Sequence, residues 1–342
     1  MVFAVRKFAY LLGAGAISSV ACSSPLQAAD VFFSDMPLVL TASRMAQSPL
    51  DAPVAVTIID RQMIKASGFT EIHDLLRLVP GFLVADWPKG SPVVARHGLA
   101  DAYDRRIKVM IDGRTVNRSL RGDTAWQDLP IRVEDIDRIE VVRGAHGAAY
   151  GVNAFDGVIN IITRSPLTED GFSLVSQVGQ GGLVDVAFRG NGLTAAGIDW
   201  RLSASQRKAE NFRPRFDDRT RVPTEAEQVR NTLVSFSATQ QITASDEINL
   251  HLAVNEGSAE RGNDLDLAEP LRDEETRSQF FHLSWLRSLG ADAELALHLS
   301  HQAERFRAGW VRRTPPLIPI DMNTDGQRDE IELQYTARLA PA

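Results

Sequence analysis

The chain has 342 residues, a formal net charge of −7 and a sequence pI of about 5.6, a balance that gives a nucleic-acid partner no electrostatic support. Hydrophobic residues make up 44%, yet beyond the first 21 residues no unbroken apolar run is long enough to cross a bilayer as a helix. This excludes a helical membrane protein and leaves a β-barrel open, because barrel strands alternate and never produce such a run. At the start, Arg6 and Lys7 precede an apolar stretch from Phe8 to Ala21, and Leu26-Gln27-Ala28-Ala29 offers a cleavage site before Asp30. Residues 1–29 read as a secretory signal peptide. Cys22 is the single cysteine, and Ser19-Val20-Ala21-Cys22 lacks the large aliphatic residue of a lipoprotein box. Cleavage near Ala28 leaves an exported chain that does not rely on disulfides.

Residues 35–42 form a short extended stretch: Pro37 bars a helix, and Leu38 and Leu40 alternate with Val39 and Thr41. Such a stretch adds as a strand to a partner's sheet edge or remains a loose tail. Val54–Ile59 predicts a strand, and Asp60 caps a helix over Arg61–Ala66 that Gly68 stops. Thr70 caps a second helix, with Ile72, Leu75, Leu76 and Val79 on one face and Pro80-Gly81 at its end. A short strand at Pro92–Ala95 and a clear one at Arg106–Ile111 follow, the latter turning at Asp112-Gly113 as a hairpin. Pro130 opens a short helix over Ile131–Asp135.

The segment Asp135–Arg164 then carries two β-type runs, Ile136–Arg143 and Gly157–Arg164, with Ile139, Val141, Ile159 and Ile161 at alternate positions. Between them Gly144, Ala145, Gly147, Ala148, Ala149 and Gly151 cannot fill a core and suit tight turns or close backbone approach. Residues 41–165 predict one α+β unit.

Beyond Pro166 alternation takes over. Ile198–Ser205, Ile248–Val254, Phe280–Trp285, Leu295–Ser300 and Glu330–Leu339 place apolar residues on one face and polar ones on the other. Weaker runs lie at Phe172–Gly179, Leu183–Phe188 and Arg230–Gln240. This gives eight strands of about ten residues, the length a tilted membrane strand needs. Short spacers (179–182, 190–197) contrast with long polar ones at 210–228, 257–275 and 307–327. Apolar-out, polar-in strands with unequal loops fit an outer-membrane barrel, and the same alternation fits a soluble β-sandwich.

The chain resembles a TonB-dependent outer-membrane receptor. The resemblance rests on Leu38–Arg44, Val109–Arg114, Ile136–Gly144, Ala149-Tyr150-Gly151 and Gly157–Arg164, in this order and spacing. It implies an α+β plug domain over 41–165 followed by an antiparallel transmembrane β-barrel over 166–342, with about 8 of an expected 22 strands present. It further implies uptake of a ferric siderophore or similar scarce metal complex, an outer-membrane location amid lipid, and coupling to the periplasmic protein TonB. The TonB box falls on Asp35, Met36, Pro37, Leu38, Val39, Leu40 and Thr41. Its closeness to the cleavage point leaves no room for a signalling domain, so transport without transmembrane signalling is expected. Arg143 beside Gly144, with Arg96 or His97 as companion, resembles the family's plug–barrel lock, although Arg143 can also snorkel to solvent. Trp87, Lys89, Tyr103, Arg121 and Trp126 lie in irregular stretches that form either a ligand-facing apex or packing against the wall.

Asp321-x-Asn323-x-Asp325-Gly326 with Glu332 has the spacing of a calcium loop, or of a polar turn at a loop tip. No other cofactor is implied. His73, His97, His146, His251, His282, His298 and His301 are scattered, and no nucleophile–base set appears, so an enzyme is not expected. The alternatives are a non-transporting surface receptor or adhesin, or an inactive truncated receptor. Eight strands are too few to enclose such a plug, so the chain alone is expected not to insert stably.

Overall fold

The computed structural model describes residues 54–87, 91–98, 104–166, 171–210, 228–261, 272–290, 293–311, 316 and 318–337, all within one compact unit, Leu38–Ala342. The TonB-box segment Asp35–Thr41, and Lys89 and Tyr103 of the expected apex, lie outside these residues.

The first part is a five-stranded mixed sheet in the order β1-β6-β7-β4-β5, formed by β1 (Ala55–Ile59), β4 (Ile107–Ile111), β5 (Arg114–Thr115), β6 (Ile136–Arg143) and β7 (Gly157–Thr163). Helix α1 (Arg61–Ser67) begins where Asp60 accepts a hydrogen bond from the Met63 amide and ends at Gly68 in a left-handed cap. The second predicted helix is only one turn, α2 (Ile72–Leu75), continuing as a 3-10 turn over Leu76–Leu78. Its N-cap is Glu71, without a side-chain cap bond, rather than Thr70. Ile72, Leu75, Leu76 and Val79 are nevertheless all buried, since their common face packs on the sheet. The short helix expected over Ile131–Asp135 is a 3-10 turn, Val133–Asp135. A further hairpin, β2 (Phe82–Trp87) with β3 (Ser91–Arg96), extends the predicted Pro92–Ala95 strand.

Both faces of the sheet are covered. Val109, Ile111, Ile139, Val141, Ile159 and Ile161 point to the helical side, while Met110, Val142 and Val158 pack with Tyr150 on the other. Tyr150 ends a single helical turn, α3 (Gly147–Tyr150), within the glycine-rich link. At Asp112-Gly113 both residues have positive φ, 49° and 80°, as a two-residue primed hairpin turn requires. Gly157 has a different reason: a Cβ there would lie 2.7 Å from the Val142 carbonyl oxygen across the ladder.

The second part is an eight-stranded antiparallel sheet in plain sequence order. Its members are β8 (Gly171–Val178), β9 (Val184–Leu193), β10 (Ile198–Glu210), β11 (Gln228–Thr243), β12 (Asp246–Arg261), β13 (Arg272–Ser288), β14 (Ala293–Val311) and β15 (Pro319–Ala337). The sheet is open, with β8 and β15 at its edges. One face carries the exposed apolar residues, among them Phe172, Val186, Val234, Phe281, Ile331 and Leu333. The other turns Asp185, Arg201, Ser235, Asn255, His282 and Gln302 toward the plug side, where they are buried.

The strands reach 19 residues in β14 and β15, well beyond the ten expected. At about 3.3 Å per residue such a strand spans roughly 60 Å, twice a ~30 Å hydrocarbon layer. Outside the lipid no hydrophobic contrast marks the pleat, so the sequence pattern fades while the hydrogen-bond ladder continues. This overturns the predicted loops at 257–275 and 307–327, large parts of which are strand.

Replacing Ile139, fully buried in the plug core, by Ala should destabilise the plug by about 2–5 kcal/mol. Urea denaturation of the full chain should show a lower plug midpoint; an unchanged one would contradict this packing.

Candidate functional site

The site is the seam where the first part meets the polar face of the wall. Trp126, in a 3-10 turn over Trp126–Asp128, is 6% exposed and belongs to the plug core. Anchoring its ring there aims Asp128, two residues on, at the wall. Asp128 Oδ1 accepts from Asn231 Nδ2 at 3.2 Å, Oδ2 accepts from Thr276 Oγ1 at 2.9 Å, and its carbonyl accepts from Asn255 Nδ2 at 2.7 Å. One residue thereby ties three adjacent strands, β11, β12 and β13. A Cβ at Gly257 of β12 would overlap Asp128 Oδ1 and Thr276 Oγ1.

A second group surrounds the next 3-10 turn. Arg132 donates to both oxygens of Asp185 on β9, at 2.9 and 3.0 Å, and to Glu134 at 3.1 Å. Arg207 of β10 lies 3.6 Å from Asp185 and 2.6 Å from Glu71. Burial pushes the Glu71 carboxyl above its ordinary pKa, partly offset by the Arg207 charge. Asp135 meets Arg189 at 2.6 Å, an ion pair without an aligned hydrogen bond, and Arg201 at 3.9 Å. Charges this enclosed are stable only as a matched set, because a lone buried charge is far costlier than a paired one.

The third contact is the loop after β5. Arg328 of β15 donates to the Asn117 carbonyl at 2.9 Å, and Glu304 of β14 accepts from the Ser119 amide at 3.3 Å. A Cβ at Gly326 would overlap Ser119 Oγ. Nearby, Arg114 lies 4.0 Å over the Phe280 ring and donates to Gln302 at 3.3 Å, and burial pulls its guanidinium down to about 10.

The expected site residues distribute differently. Arg96 Nη1 donates to the Asp156 carbonyl at 2.9 Å, and the Gly144 amide donates to the same oxygen at 3.0 Å, so both serve the plug itself. Among the described residues, neither Arg96 nor Arg143 pairs with a wall carboxylate, and Arg143 Nε is buried without a hydrogen-bond partner. Trp126 is core rather than apex. Arg121 packs on the wall, 4.2 Å from the Phe306 ring centroid and 3.7 Å from Met322 Sδ. Trp87 pairs with Ser91 at the end of the β2–β3 hairpin.

The calcium set does not assemble. Asp321, Asn323 and Asp325 lie within strand β15, not in a turn, and Glu332 falls on its opposite face. Asp325 is held by Arg305 at 3.1 Å and Arg307 at 3.0 Å, and no group of three His, Asp or Glu among the described residues can hold a metal ion. Gly326 serves the plug contact rather than a metal turn. The decisive seam residues, Asp128, Arg132, Asp135 and Asp185, were missed. Polar residues at short intervals resemble any solvated turn, and only pairing to distant strands gives them a role.

Residues 48–158 match the family model described as TonB-dependent Receptor Plug Domain. The chain carries a TonB-dependent receptor plug. The vitamin B12 transporter BtuB of Vibrio vulnificus is 32% identical over 139 residues, covering 41% of this chain and 22% of the relative. The iron-regulated outer membrane virulence protein of Vibrio cholerae is 32% identical over 142 residues, covering 40% and 21%. Among solved structures, the siderophore receptor PiuA from Acinetobacter baumannii superposes with a TM-score of 0.68 at 14% identity, over 89% of this chain and 46% of that one. The ferric yersiniabactin uptake receptor FyuA from Yersinia pestis gives 0.66 at 14%, over 84% and 46%. The chain thus spans about a fifth of the curated relatives it matches. The plug and the eight strands are parts of the receptor fold, the exposed apolar belt lies where the strands of an outer-membrane barrel carry theirs, and the family comprises receptors and transporters rather than enzymes.

Asp128→Ala should remove the carboxylate's bonds to Asn231 of β11 and Thr276 of β13, leaving the carbonyl bond to Asn255, and loosen the plug there while Trp126 stays in the core. Hydrogen exchange should quicken at 125–130 and stay slow in β6 and β7; uniform protection at both would argue against the seam. Asp185→Ala leaves Arg132 with Glu134 and Arg207 with Glu71 as remaining partners and should cost about 1–3 kcal/mol, read as earlier release of the plug in limited proteolysis.

Proposed function

We propose that this plug and wall belong to a transporter that takes up a ferric siderophore, or a similar scarce metal complex such as a corrinoid, across the outer membrane. TonB would supply the energy through Asp35–Thr41. The observation that carries the reading is the plug's attachment to the polar face of the sheet through the sheet's side chains, with no backbone ladder between plug and wall among the described residues. Such contacts hold a gate shut and can be exchanged one by one when the plug is pulled. The names of the curated relatives, a vitamin B12 transporter and an iron-regulated outer-membrane protein, support the cargo class.

Arg114, Arg118 and Arg121 line, with Phe280 and Phe306, a narrow cleft of about 60 Å³ at the seam, which we assign to contact with one group of the ligand rather than to enclosing it. Cationic and aromatic side chains together suit an anionic, ring-bearing chelate. Arg118 is locked to Asp123, which keeps its charge at the cleft rim. Arg143, with its unpartnered buried Nε, is the candidate on the plug for a wall carboxylate.

Leu40→Pro removes a backbone donor from the segment that would add to TonB's sheet. Uptake of a radiolabelled ferric or cobalt complex should vanish in cells carrying the variant, while surface binding is kept. Normal uptake would sink the coupling role of this segment.

A further inference from the structure

A cavity of about 620 Å³ lies between the plug's Asp112–Arg114 turn and the wall, on the side of the short connections 244–245 and 289–292. His251, His282 and His298, scattered in sequence, all line it. His251 of β12 and His282 of β13 are direct cross-strand partners, and His282 stacks on His298 of β14 with ring centroids 5.7 Å apart and planes 17° from parallel. On β15, Glu332 is the register partner of His298, and Glu330 sits opposite Ser300, itself the partner of His282. His251 is turned aside, edge-on to Phe280 at 4.8 Å.

We propose that His282 and His298 form a two-imidazole docking site for a coordinatively unsaturated transition-metal ion of the copper(II) or zinc(II) type. Imidazole nitrogen is the ligand such borderline ions prefer. Metal–nitrogen bonds of about 2.0–2.1 Å require the two ligating nitrogens to come within ~4 Å of each other, so binding would turn the two rings out of their stack and toward a common point in the cavity. Among the described residues no three His, Asp or Glu side chains converge. The site is therefore half a coordination sphere, and its other positions are left to water or to donors that arrive with the metal. Glu332, the register partner of His298 on β15, is the carboxylate placed to orient that ring from outside the sphere. Arg114 lines the same cavity, and its charge opposes a bare dication, so the wall holds the metal in passing rather than storing it.

The inference rests on the uptake reading only for where the metal comes from; binding is measured without transport. The probe is copper(II) sulfate added to the purified full chain in detergent micelles, followed by electron paramagnetic resonance and calorimetry. The expected spectrum shows coupling to two nitrogens, and His282→Gln and His298→Gln each lose it with binding weakened about tenfold or more. His301→Gln should retain it, because His301 lies on the other face of β14, 2.7 Å from Asp329. A wild-type spectrum without two-nitrogen coupling overturns the site, whatever the folding of the variants. So does a two-nitrogen spectrum that survives both substitutions, or one that disappears in His301→Gln. Failed uptake alongside an intact copper spectrum would reject the transport reading and leave the site standing.

Discussion

A β-wall has no spare backbone. Each strand from β9 to β14 spends its hydrogen bonds on two neighbours, so anything seated against the wall must attach through side chains. Asp128 shows the consequence most plainly, with one carboxylate and one carbonyl gathering Asn231, Asn255 and Thr276 from three strands. The remaining contacts follow the same constraint: Arg132 with Asp185, Arg207 with Glu71, and Arg328 with the Asn117 carbonyl. Donors and acceptors come in matched pairs because each is removed from water on assembly.

Close approach requires missing side chains as well as present ones. The glycine-rich link of the plug, by composition, suits close backbone approach. The structure puts that economy on the wall itself, at Gly257 beneath Asp128 and Gly326 beneath Ser119. Gly157, in the plug, serves its own sheet instead. Fit between plug and wall is thus written into single positions of β12 and β15, where a methyl group would collide with a loop more than a hundred residues away in the chain.

The same alternation that makes the wall two-faced also gives it two chemistries. Outward residues such as Ile331, 80% exposed, form the apolar belt, while inward neighbours one residue away meet the plug or line the cavity. A shift of one residue in register would exchange the faces and bury the apolar belt against Asp128 and Arg132. The long uninterrupted ladder from β11 to β15 fixes that register far more firmly than any one contact.

Much of this was legible in the sequence, because local physics decides it. The Asp60 cap, the Gly68 stop, the Asp112-Gly113 turn, strands β6 and β7 and the eight alternating runs depend on neighbours within a few residues. The faces of the wall follow from a period of two. What only the tertiary structure decided are relations between distant positions. Trp126 entered the core instead of an exposed apex, and Asp321, Asn323 and Asp325 were drawn out along a strand instead of curling around an ion. Asp128 found β11–β13, and three scattered histidines came to share one cavity. Spacing along a chain constrains geometry only while the chain stays in one element. Partners a hundred residues apart are chosen by how sheets stack, and that stacking is a property of the whole molecule.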